Sequence, residues 1–114
     1  MKTFALVFAP LIFVIGCAAA PLPDRANASL QAKANPTYPA YAARNGIEGY
    51  VQMRFDIDED GGPVNIKVIN AVPEKIFDQA AIKALANWKY APKVVNGVAV
   101  VQKDLVVRLD FNMG

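Results

Sequence analysis

The sequence predicts an α+β fold in two layers: a three-stranded antiparallel sheet covered on one face by one main helix, with one short helix before it. Three observations carry that prediction. Apolar and polar residues alternate with period two over Glu48 to Ile57 and again toward the C-terminus. Between those stretches an apolar set recurs at helical spacing from Phe77 to Trp88. Gly and Pro punctuate the junctions.

Taken in order, Pro36 and Pro39 make an extended lead-in, and Ala40 to Asn45 suits a short helix ended by Gly46. In the first strand Gly49, Val51, Met53, Phe55 and Ile57 point one way, and Tyr50, Gln52, Arg54 and Asp56 the other. "DEDGGP" is a turn. The second strand, Val64 to Ala71, puts Val64, Ile66 and Val68 on one face, so the pair is an antiparallel hairpin. Pro73 and Glu74 suit the first turn of the main helix, which runs to about Lys89. Phe77, Ala81, Ala84 and Trp88 share its apolar face, flanked by Ala80 and Leu85, and Pro92 stops it. Asn96-Gly97 is a turn. The last strand spans roughly Val98 to Asn112, with Leu105, Val107, Leu109 and Phe111 inward and Val106, Arg108 and Asp110 outward. Three strands leave two edges, each a row of unpaired N–H and C=O groups; the long final strand is the natural candidate for an exposed one.

Composition narrows function. The 114 residues suit one domain, and a 54% hydrophobic content is enough for a packed core. Twelve Lys and Arg against ten Asp and Glu are scattered, which argues against nucleic acid as a partner, since that needs a concentrated basic face. The chain contains no His and a single Cys. That excludes His-based triads, His metal ligands and an intrachain disulfide. No nucleophile–base pair stands out, so the expectation is a non-enzymatic protein without a cofactor or metal.

The N-terminus reads as an export signal. Lys2 precedes an apolar run from Phe4 to Ile15, then Gly16-Cys17-Ala18-Ala19-Ala20. The run is short for a membrane span, and it contains Pro10. "Val14-Ile15-Gly16-Cys17" resembles a bacterial lipobox. The resemblance implies a signal peptide over residues 1–16 and a lipid on the Cys17 sulfur; Ala18 in place of Asp leans toward the outer membrane. Ordinary cleavage after Ala18 or Ala20, and a retained anchor, are the alternatives. Residues 17–34 then form the anchor site and a short linker, with the domain from 35 to 114.

Several motifs invite other readings. "Asp56-Ile-Asp58-Glu-Asp60-Gly61" opens like a calcium loop, but the twelfth position is Lys67 instead of Glu and the flanks are strands. A solvated turn is the expectation for these carboxylates, Glu59 included, and a glycosylation acceptor pattern at Asn27-Ala28-Ser29 carries little weight beside a bacterial export signal. Trp88 is expected to cover the sheet, and Tyr38 to pin the lead-in segment or to serve the site.

Together the motifs resemble the C-terminal domain of the TonB family. The matching residues are Tyr38-Pro39, Gly46-Ile47-Glu48-Gly49-Tyr50-Val51, Phe55-Asp56-Ile57 with Asp60-Gly61, Val68, Pro73 and Phe77-Asp78-Gln79-Ala80-Ala81. They continue through Ala84-Leu85, Trp88-Lys89-Tyr90-Ala91-Pro92, Asn96-Gly97-Val98 and Phe111. The resemblance covers about Asn35 to Asn112. It implies a periplasmic domain of two helices on a three-stranded antiparallel sheet. It also implies a partner, an outer-membrane transporter or another envelope protein, whose short extended peptide adds to the last strand. On this chain that maps to Asp104, Leu105, Val106, Val107, Arg108, Leu109, Asp110 and Phe111, helped by Asn35, Pro36 and Tyr38. Arg108 and Asp110 would offer charge at the rim. The same edge chemistry implies possible homodimers by strand exchange. Energy-transducing members of the family resemble a machine with a membrane helix that couples to an inner-membrane motor through a functional Ser and His, followed by a long spacer. Three departures bear on that coupling: the chain has no His, the apolar segment Phe4–Gly16 has no ionisable residue, and the expected linker spans at most about 50 Å. The expectation is therefore a lipid-anchored periplasmic binder, with a minimal energy transducer and a self-associating envelope protein as alternatives.

Overall fold

The computed structural model describes residues 22–114. Its elements are β1 (Ser29–Ala32), α1 (Ala40–Arg44), β2 (Gly49–Ile57), β3 (Pro63–Val72), α2 (Asp78–Ala86), β4 (Lys89–Ala91), β5 (Lys93–Val95), β6 (Val98–Val100) and β7 (Gln102–Phe111). The main sheet has the order β3-β2-β7 and is antiparallel throughout. With α1 and α2 this is the two-layer α+β architecture that the periodicities predict.

The core lies on one face of β2. Val51, Met53, Phe55 and Ile57 are at most 1% exposed, as strict alternation requires. Phe77, Ala81, Ala84, Leu85 and Trp88 close over them, joined by Ala42 from α1 and by Leu109 and Phe111 from β7. The Phe77 and Phe111 rings stack at 4.4 Å.

The turn after β2 is built by Asp58. Its Oδ1 accepts the N–H groups of Asp60 (3.0 Å) and Gly62 (2.8 Å), which is the role of an Asx residue in a tight turn. Gly61 sits at φ +86°, and a Cβ there would lie 1.8 Å from the Tyr90 carbonyl oxygen, so only glycine fits. Asn96 (φ 52°) and Gly97 (φ 80°) make the two-residue turn of the β5–β6 hairpin.

Four local expectations are corrected. The main helix starts at Asp78, not Glu74, because Lys75 takes a left-handed backbone (φ 70°) that a helix cannot include. It stops at Ala86, and Lys89 enters β4. The expected single last strand is two, β6 and β7, parted at Val101. Val64 does not share a face with Ile66 and Val68: Asn65 (φ 53°) is an extra residue in the ladder, so Val64 pairs with Asp56 while Ile66 and Val68 pack on the core.

The fourth correction concerns the segment read as a linker. From Leu22 to Ala34 the chain is docked. Arg25 and Val94 exchange two backbone hydrogen bonds (3.0 and 2.9 Å), and β1 pairs with β4. Gln102 accepts the Ala28 N–H and donates to Asn27, and the Trp88 indole N–H donates to the Ala34 carbonyl at 2.9 Å. All four β1 residues are exposed, so backbone pairing holds β1 itself, while Ala28 and Ala34 on either side of it pack against the core.

Leu85→Ala empties a fully buried site and is expected to cost about 2–5 kcal/mol. Leu30→Ala, on the exposed β1, is expected to cost under about 0.5 kcal/mol. Urea unfolding of the two variants measures the contrast.

Candidate strand-docking edge

β2 is paired on both sides, so β3 and β7 each present an outer edge without a strand partner among the described residues. The two edges differ. β3 slips register against β2 twice, with Asn65 one of the extra residues and Ile69 skipped between Val68 and Asn70. Such bulges twist an edge and interrupt its row of donors and acceptors. β7 pairs without interruption from Leu105 to Phe111, opposite Phe55 to Gly49. Its irregularity falls earlier, near Asp104 (φ 63°). Of the residues expected at the edge, Leu105 to Phe111 therefore form one regular row, and Asp104 stands at its broken start.

Leu109 and Phe111 are buried and Leu105 and Val107 half-buried, whereas Val106, Arg108 and Asp110 are exposed. The charges at this strand face each other. The Arg108 guanidinium lies 3.8 Å from the centroid of the Tyr50 ring, and its Nε donates to Asp110 at 2.9 Å. Both are thus engaged on the open face of the sheet.

Tyr38 comes to the far end of β7. Its ring packs edge-on to Phe77 (5.6 Å) and Phe111 (5.9 Å), and its hydroxyl donates to the Ile47 carbonyl (2.5 Å), with the Phe111 carbonyl at 3.5 Å. Burial, and then the Glu48 carboxylate, push the hydroxyl above the usual phenol range, so it stays a donor. Glu48 itself accepts the Met113 N–H at 2.7 Å, closing the chain end. Asn35 and Pro36 go elsewhere: with Thr37 they line a shallow cavity against Ala80, Lys83, Ala84 and Asn87 of α2. Cys17 lies outside the described residues.

One structural arrangement at this edge was not visible in the sequence. Asp56, dismissed there as part of a solvated turn, clasps the irregular points of both outer strands. Its Oδ2 accepts from Asn65 Nδ2 (2.9 Å) and its Oδ1 from the Asp104 N–H (3.0 Å). The Asn65 bond first, then the Asp104 bond, hold its carboxyl below the usual aspartate range. The signal for it, an acidic residue on the outward face of a central strand, reads as ordinary polarity until the bulges are seen.

The domain is a two-layer α+β fold with one regular outer edge, and the comparisons show which family it belongs to. The family described as "Gram-negative bacterial TonB protein C-terminal" matches residues 34–113. This chain belongs to that family. It is 35% identical to Protein TonB of Yersinia enterocolitica over 72% of this chain and 29% of that one. It is 38% identical to Protein TonB of Pseudomonas aeruginosa over 60% of this chain and 20% of the relative. The chain thus spans less than a third of these relatives. The solution NMR structure of the Pseudomonas aeruginosa TonB CTD superposes with a TM-score of 0.67 at 30% identity, covering 78% of this chain and 89% of that one. The TonB2 protein of Vibrio anguillarum gives 0.58 at 32% identity, covering 91% and 98%.

Two measurements probe this site. Tyr38→Phe keeps the ring and removes the donor; it is expected to cost about 1 kcal/mol and to speed amide exchange at the end of β7. For Asp56 the folded-state pKa is depressed, so its stabilisation is present above the ordinary aspartate value near 3.8 and lost as pH falls through the lower folded value. The stability gap between the natural chain and Asp56→Ala should be widest at neutral pH and narrow below about pH 4, read by denaturant unfolding across pH.

Proposed function

We propose that this domain captures an extended peptide by strand addition to the outer edge of β7. The observation that carries the reading is the asymmetry of the two edges: β7 is regular from Leu105 to Phe111, and β3 is broken by two bulges. Backbone hydrogen bonds to such an edge supply affinity without demanding a particular side chain, and alternate side chains add selectivity. Family membership makes the N-terminal peptide of an outer-membrane transporter, or a segment of another envelope protein, the ligand of choice. Tyr38 fixes the end of the edge. The protein acts in the periplasm as a non-enzymatic binder, held to a membrane, the outer one by preference, through a lipid on Cys17.

A proline scan of the edge tests this. Along a strand, successive N–H groups point to opposite sides, so of Val106 and Val107 one donates into β2 and the other out to solvent. Val106→Pro and Val107→Pro thus separate two effects. The outward position should keep the fold and weaken capture of envelope proteins by about tenfold or more; the inward one should destabilise the sheet. If the variant that stays folded captures partners as well as the natural chain, strand addition at β7 is wrong. A natural-chain dimer lost in that same variant, with no partner captured, would shift the reading to self-association.

A further inference from the structure

The β5–β6 hairpin presents an outer face that core packing does not explain. Val94 points inward and is 2% exposed. Val95 and Val98 are cross-strand partners beside the Asn96-Gly97 turn, so their side chains share the other face. They are 43% and 61% exposed, Val98 being the most exposed large apolar side chain among the described residues. Val100 and its partner Lys93 continue that face. On β2, by contrast, the outward positions are Tyr50, Gln52, Arg54 and Asp56, as a solvated face requires.

The first described residues dock on this hairpin. Leu22, half-exposed, donates its N–H to the Gly97 carbonyl at 3.4 Å. The Asp24 carboxylate accepts the Gly97 N–H at 2.9 Å, and the Arg25 guanidinium donates to the Pro92 carbonyl at 2.8 Å. Upstream lie Cys17 and the apolar run Phe4–Ile15. From Cys17 to Leu22 the covalent chain reaches about 18 Å at most. Any bilayer attachment through that segment therefore keeps the hairpin tip within about 18 Å of the lipid.

We propose that the outer face of the β5–β6 hairpin, together with Leu22, is a lipid-contact surface. Val95, Val98 and Leu22 rest at the boundary of headgroups and acyl chains. Lys93 lays its methylenes along the same face and its ammonium among the phosphates. The inference rests on the proposed attachment at Cys17. It also gives the attachment a geometric consequence. β7 begins at Gln102, two residues after β6 ends, so the start of the proposed docking edge lies close in the chain to the lipid-contact hairpin.

The test uses the full chain in vesicles of phosphatidylethanolamine and phosphatidylglycerol. An environment-sensitive fluorophore is placed at Val98→Cys or, as a control, at Tyr41→Cys on α1, which is 57% exposed. The expected result is emission shifted to shorter wavelength at position 98 on adding vesicles and unchanged at position 41. No shift at 98, or equal shifts at both positions, overturns the lipid-contact surface. So does a position 98 already shielded before vesicles are added, which would mean that residues 4–16 or a second copy cover the face. Mass spectrometry of the same samples counts labels. One fluorophore and an acyl mass per chain support attachment at Cys17. Two fluorophores overturn that attachment, and the shift at 98 is then read in a Cys17→Ala chain, where its presence supports the surface and its absence overturns it.

Discussion

The structure depends on β2. It is the one strand of the main sheet paired on both sides, and its inward residues Val51, Met53, Phe55 and Ile57 are sealed from solvent. Each of these side chains contributes about 1.5–3 kcal/mol by leaving water. The helices are placed by that apolar strip: the small Ala81 and Ala84 let α2 approach closely, Leu85 packs into the same core, and Trp88 joins it beyond the helix end. A sheet with one central strand has two outer ones, so a domain built this way cannot hide its edges by closure.

The two edges are treated differently, and Asp56 is where the difference is organised. From the outward face of β2 its carboxylate reaches the bulge in β3 through Asn65 and the irregular start of β7 through Asp104. Both partners hold left-handed backbones, a conformation that costs a non-glycine residue about 1 kcal/mol or more and persists only where contacts support it. Beyond the clasp β7 runs regularly to Phe111, while β3 slips again near Ile69. Of the two outer edges, β7's is the one left regular.

The segment before the first helix, from Leu22 onward, is tied into this arrangement. It begins at the β5–β6 hairpin, passes Gln102 at the start of β7, gives its Ala34 carbonyl to the Trp88 indole, and ends at Tyr38 beside Phe111. It thereby reaches both ends of β7. Its docking also shortens the free tether. Read as a linker, the segment from Pro21 to Ala34 would have offered about 50 Å of reach; with Leu22 already bonded to Gly97, nearly all of that is taken up against the domain.

What can be read locally was legible in the chain itself. Alternation in β2 and late β7, the apolar face from Phe77 to Trp88, and the Asp60-Gly61 and Asn96-Gly97 turns follow from the period of each element and the backbone freedom of its residues. The motif order also carried the family. Contacts distant in sequence carried the rest. The bulges in β3 and β7 arise only against β2, and one extra residue there turns Val64 to the other face. The start of α2 waits on the backbone of Lys75. The lead-in segment carries no period because its partners are backbone and polar groups far along the chain: Arg25 bonds Pro92, 67 residues away, and Asn27 bonds Gln102, 75 away. Period reports which face of an element is apolar. It is silent about hydrogen bonds between distant segments, and those bonds accompany the difference in regularity between the two edges and fix how the lead-in segment docks.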